Sequence, residues 1–143
     1  MEYIEASISV RARFSEVDAM GVVWHGNYLK YFEDGREHLG ETSNMSYMDI
    51  AKRGYFVPIV TAHVDYKSPL TFGDRIQITC RLIKSRSAKL IHEYEVKNLE
   101  NNKVSCLGRT EQVFLNADTK ELELTYPSFY EEWIGKTAWS TEA

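Results

Sequence analysis

From Ile4 onward apolar and polar residues alternate. Ile4, Ala6, Ile8, Val10, Ala12 and Phe14 share one side, and Glu5, Ser7, Ser9, Arg11 and Arg13 the other. A period of two predicts a half-buried strand from Tyr3 to Phe14. The period then lengthens. From Tyr28 the apolar positions fall at Tyr31, Phe32, Gly35 and Leu39, which lie on one face of a helix ending near Gly40. Leu29 widens that face, while Lys30, Glu33, Asp34, Arg36, Glu37 and His38 make the polar one. Glu33 and Arg36, three residues apart, are expected to pair on the helix surface. A short second helix is expected from Ser46, a capping residue, to Arg53, with Gly54 stopping it.

Period two returns at Tyr55. Val60, Ala62, Val64 and Tyr66 face one way, with Pro58 near the strand start, where a missing N–H does least harm. Residues Pro69 to Asp74 form a turn. The third strand carries Ile76, Ile78, Cys80 and Leu82 on one face, and the fourth alternates Leu90, His92, Tyr94 and Val96 with Ile91, Glu93, Glu95 and Lys97. Asn101-Asn102 reads as a hairpin turn, because Asn tolerates positive φ. A fifth strand runs from about Val104 to Asn116. A C-terminal helix is expected from Pro127, with Ser128 and Glu131 at capping-box spacing.

The predicted order is therefore strand, long helix, then four strands in succession. Short connections between consecutive strands give an antiparallel sheet, and the one substantial apolar helix must lie across it. The 143 residues form a single α+β domain, 1–143. The strands carry more apolar surface than one helix covers, so burial against further copies of the chain is expected.

Charge and chemistry sharpen this picture. A net charge of −4 argues against a general nucleic-acid binder. The sequence lacks the roughly 20-residue apolar run of a membrane span, and its N-terminus lacks signal-peptide character. Cys80 and Cys106 stand far apart and read as buried thiols, so a cytoplasmic setting fits. His38, His63 and His92 lack ligand spacing, so neither a metal nor a cofactor is expected. The chemistry-bearing stretch is Ser15 to Gly40, where a loop carrying Asp18 and His25 runs into the start of the long helix. Helix N-termini stabilise anions. An ionised carboxylate plus donors for an oxyanion suffices for thioester hydrolysis, since a thiolate with a conjugate thiol pKa of about 8.5 leaves without strong acid assistance.

The segment Asp18-Ala-Met-Gly-Val-Val-Trp-His-Gly-Asn-Tyr-Leu-Lys-Tyr-Phe-Glu33 resembles the signature of hotdog-fold acyl-CoA thioesterases. The resemblance is to the 4-hydroxybenzoyl-CoA thioesterase type, in its YbgC-like branch. It implies an antiparallel five-stranded sheet wrapped around a central helix, and a homodimer whose sheets join, often doubled to a homotetramer. Asp18 matches the catalytic carboxylate, acting as nucleophile or as general base for water. His25 matches the helix-start position, whose backbone N–H polarises the thioester carbonyl. Asn27 belongs to the same motif and is a candidate substrate contact. Glu16-Val17 and Gly26 depart from the residues that often flank the catalytic Asp and follow the His. Lys84, Arg86 and Lys89 cluster at a turn, and similar thioesterases hold coenzyme A phosphates there, which makes Arg86 and Lys89 candidate substrate-binding residues. The implied substrate is an acyl-CoA or its acyl carrier protein counterpart. The alternatives are a non-catalytic acyl-thioester-binding protein and a hotdog dehydratase or hydratase.

Overall fold

The computed structural model describes residues 1–142. Strand β1 (Glu2–Arg11) is followed by two short 3-10 turns, Phe14–Glu16 and His25–Asn27, and by helix α1 (Tyr28–Thr42). Next come α2 (Tyr47–Lys52), β2 (Tyr55–Phe56) and β3 (Ile59–Tyr66). The chain continues with β4 (Arg75–Ile83), β5 (Lys89–Asn98), β6 (Val104–Val113) and β7 (Leu115–Asn116). It closes with α3 (Ser128–Lys136) and β8 (Ser140–Thr141).

The main sheet runs β3-β6-β5-β4-β1-β8, and every pairing in it is antiparallel. The five expected strands are all present. The two-residue β8 adds a sixth by pairing with Glu2 and Tyr3, and β2 and β7 form a separate two-stranded ribbon. The residues of α1 that are buried are Tyr28, Tyr31, Phe32, Gly35 and Leu39, the face set by the 3.6-residue period. That face lies on β1, β4 and β5. Two glycines permit the close approach. A Cβ on Gly35 would stand 2.8 Å from the Ile78 Cγ2, and one on Gly108 would collide with the Phe32 ring. Phe32 is wholly buried and stacks on Tyr94 with ring centroids 4.3 Å apart. Both thiols, Cys80 and Cys106, are free and buried, and burial pushes each up to about 12.

Four expectations are corrected. Phe14 leaves the strand register in a 3-10 turn and is 75% exposed. The fifth strand breaks at buried Phe114, which the Asn116 end abandons to pair with β2. In α3, Pro127 is the capping residue and Ser128 is already helical, so the capping box does not form. Arg36 does not pair with Glu33 but donates from Nη1 to the Tyr94 hydroxyl at 2.9 Å, drawn inward by the core. The caps around α2 form as expected: the Ser46 side chain accepts from the Asp49 N–H, and Gly54 stops the helix with φ +90°.

Candidate active site

The chain between β1 and α1 folds back on itself. The Asp18 N–H donates to the Val22 carbonyl at 2.9 Å, Val17 bridges to Val23, and Gly21 makes the turn with φ +81°. The Asp18 carboxylate accepts from the Met20 N–H at 2.8 Å, which leaves its second oxygen available. This hairpin is pinned to the connection between β3 and β4 through Val22, bridged to Thr71, and the Val23 N–H, which donates to the Leu70 carbonyl.

Past Val23 the chain turns directly into the helix. The first bond of the His25–Asn27 turn runs from the Asn27 N–H to the Trp24 carbonyl at 2.9 Å. The amides of His25 and Gly26 precede it and have no acceptor within the helix. Here, at the positive end of α1, N–H groups are offered to an approaching anion. The His25 ring is exposed, 4.9 Å from the Trp24 ring, and its carbonyl accepts from the Tyr66 hydroxyl at 2.9 Å. Trp24 leans over the turn so that a Cβ on Gly26 would collide with its indole, which is a physical reason for glycine at this position. Asn27 uses its side-chain amide structurally, donating to the Glu16 carbonyl at 2.8 Å.

Asp18, His25 and Asn27 therefore share one end of α1. Arg86 and Lys89 do not join them in this chain. The Asp18 loop packs against residues just before β4, and the basic turn follows β4's far end, nine residues away. That separation is roughly 30 Å at about 3.3 Å per residue. Arg86 is exposed, Lys84 pairs with Glu2 at 3.5 Å, and Lys89 with Glu111 at 3.3 Å.

Two features escaped the sequence reading. Glu16 is 93% buried by its 7% exposure, and its carboxylate accepts from the Arg13 N–H at 2.8 Å and the Tyr31 hydroxyl at 2.9 Å. Burial and this bond push the Tyr31 hydroxyl well above the usual phenol range. The second is a cavity of about 740 Å³ at the other end of α1, with walls that include Leu39, Val57, Ile59, Leu82, Leu90 and His92. Burial pushes the His92 imidazole down to about 3, so His92 itself is uncharged here, while Arg36, Glu33, Glu37 and Glu41 also line the cavity.

A curved antiparallel sheet holding one long helix, with a carboxylate loop at the helix start, defines a hotdog-fold protein. Residues 12–134 match the family model described as the thioesterase-like superfamily, and the chain belongs to that family. It is 32% identical to YneP of Bacillus subtilis over 89 residues, 62% of this chain and 64% of that one. It is 28% identical to the acyl-CoA thioester hydrolase YbgC of Escherichia coli over 93 residues, 64% of this chain and 69% of that one. The DHNA-CoA thioesterase from Staphylococcus aureus superposes with a TM-score of 0.83 at 27% identity, covering 92% of this chain and 89% of that one.

Proposed function

We propose that this protein hydrolyses the thioester bond of an acyl-CoA, with Asp18 as the catalytic carboxylate and the helix start at His25 as the oxyanion site. The observation that supports this reading is the hairpin from Val17 to Val23, which sets Asp18 two residues from Glu16, whose carbonyl accepts from the Trp24 N–H just ahead of the His25 and Gly26 amides. The substrate carbonyl oxygen sits at those amides. Asp18 takes a proton from water, and the hydroxide adds to the carbonyl carbon. The oxyanion then collapses, the C–S bond breaks, and the thiolate leaves with the electron pair. As a nucleophile, Asp18 attacks the same carbon itself, the C–S bond breaks and expels the thiolate, and water cleaves the resulting anhydride to the free acid and Asp18. A positioned base contributes about 10²–10⁴ in rate and one oxyanion donor about 10²–10³.

The rest of the substrate is placed by pairing two chains. Strand β3 lies at a sheet edge, with Ile59, Val60 and Tyr66 exposed. An antiparallel two-fold pairing through this edge sets one chain's Tyr66 end beside the other's Ile59 end. Tyr66 bonds to His25, whereas Ile59 pairs with Gln112 near the basic turn. The pairing therefore carries the partner's cavity and basic turn toward this chain's Asp18. The acyl group enters that cavity, and Arg86 and Lys89 hold the nucleotide phosphates. Light scattering at micromolar concentration gives a dimer or tetramer, and a folded monomer would contradict the shared site.

The test is thiol release from aromatic, short-chain and long-chain acyl-CoAs, set beside a short acyl thioester lacking the nucleotide. The Arg86→Ala, Lys89→Ala double variant raises KM for the accepted acyl-CoA about tenfold and barely changes hydrolysis of the truncated thioester. Equal losses on both substrates mark these residues as structural instead. No thiol release from any acyl-CoA overturns the proposed activity.

A further inference from the structure

Glu16 gathers more of the helix start than any residue with an assigned role. Its carbonyl accepts from the Trp24 N–H at 2.9 Å and from the Asn27 side-chain amide at 2.8 Å. Its carboxylate Oε1 accepts from the Arg13 N–H at 2.8 Å and from the Tyr31 hydroxyl at 2.9 Å. These four bonds reach Arg13 at the start of the first 3-10 turn, the residue before His25, the last residue of the second 3-10 turn and the first turn of α1. Asp18 follows two residues later, held by the Val17–Val23 bridge. The Glu16 side chain and carbonyl thus join the segment that carries Asp18 to the one that carries the His25 and Gly26 amides.

Stability does not by itself call for a carboxylate here. Burying a carboxylate is costly unless every lone pair is engaged, and apolar residues of similar volume commonly do as well. A buried acid anchored to a tyrosine fifteen residues along, with its backbone clasping the helix start, is what a fixed geometry requires. Small displacements of a reacting group are expensive: about 1 Å can cost on the order of 10² in rate.

We infer that Glu16 is a positioning residue that holds Asp18 and the oxyanion amides in register. The inference rests on the proposed thioesterase reading. Glu16 is buried, and acts through Asp18 and the turn it clasps. Its side chain acts as an acceptor, so glutamine, which retains an acceptor oxygen, preserves the arrangement.

The experiment compares Glu16→Ala and Glu16→Gln, each alone and in the Asp18→Asn background, at a temperature where circular dichroism shows every variant folded. Glu16→Ala lowers kcat for the best acyl-CoA about 10- to 100-fold with KM changed less than about threefold. Glu16→Gln stays within about fivefold of wild type. In the Asp18→Asn background Glu16→Ala costs clearly less than it does alone, because one of the two groups it positions has gone while the amides remain. Four results overturn the inference: wild-type kcat in folded Glu16→Ala, a Gln variant as impaired as Ala, a loss confined to KM, or a full multiplicative loss in the double variant. If Asp18→Asn itself turns over at the wild-type rate, the thioesterase mechanism fails and this inference with it. An impaired Asp18→Asn beside an intact Glu16→Ala removes this inference alone.

Discussion

Asp18→Asn lowers kcat for acyl-CoA hydrolysis by about 10²-fold or more and leaves KM within a few-fold. Asparagine matches aspartate in size and keeps an oxygen to accept from the Met20 N–H, so the hairpin from Val17 to Val23 is retained. The change removes the charge that accepts a proton or attacks carbon, an interaction realised in the transition state. Circular dichroism and thermal melting establish that the variant is folded, and thiol release then gives kcat and KM separately. Asp118→Asn, a change on the exposed turn after β7, serves as the control. Wild-type turnover by folded Asp18→Asn across every accepted acyl-CoA would sink the mechanism.

The largest expected effect on stability lies where α1 meets β6. Phe32 is wholly buried against Tyr94, and Gly108 on β6 leaves the space its ring occupies. Glycine within a strand is usually a weakness. Here a Cβ would run into the ring, and the ring cannot yield because Tyr94 stacks on its face at 4.3 Å. Phe32→Ala costs about 3–5 kcal/mol through lost burial and the cavity left behind. Gly108→Val costs about 1–3 kcal/mol by overpacking. The double variant is more stable than the sum of the two costs predicts by about 1 kcal/mol or more, because valine then occupies space the ring has vacated. Urea unfolding of the four proteins gives the coupling, and strictly additive costs would refute the contact.

These two regions differ in how far the sequence discloses them. The buried face of α1 was legible because Tyr28, Tyr31, Phe32, Gly35 and Leu39 repeat with the helical period and are all turned to the sheet. The alternating sets of β4 and β5 were legible for the equivalent reason at period two, although which side of β5 turns inward, with His92, is settled by the fold. Where the periodicity stops, the reading fails. Phe14 continued the alternation in letters only, since the chain had already turned. Strand β8 is two residues long and exists because β1 offers it an edge, which no local pattern announces. Arg36 has the spacing for a surface pair, yet the Tyr94 hydroxyl, 58 residues away, claims it.

The candidate site was legible as a motif, through Asp18, His25 and Asn27 at the start of the helix. What organises it was not. In the sequence Glu16 is one polar residue among several, and its burial is created by Tyr31 and by the turn it clasps. The basic turn was legible as a cluster of cations, but local spacing carries no distance, and β4 keeps that turn far from Asp18 within a chain.

The two core thiols give the molecule a built-in clock. Burial pushes Cys80 and Cys106 up to about 12, so both are held as unreactive thiols at neutral pH. They are also shut away from any reagent in solution. A disulfide dye added to the folded protein therefore reads only the thiol freed from substrate. Without substrate, the same dye reacts at the pace at which the sheet parts from its helix. Cys80 on β4 lies beneath Gly35 and Cys106 sits at the start of β6 near the β3 edge, so the two timings resolve whether the centre or the margin of the sheet opens first.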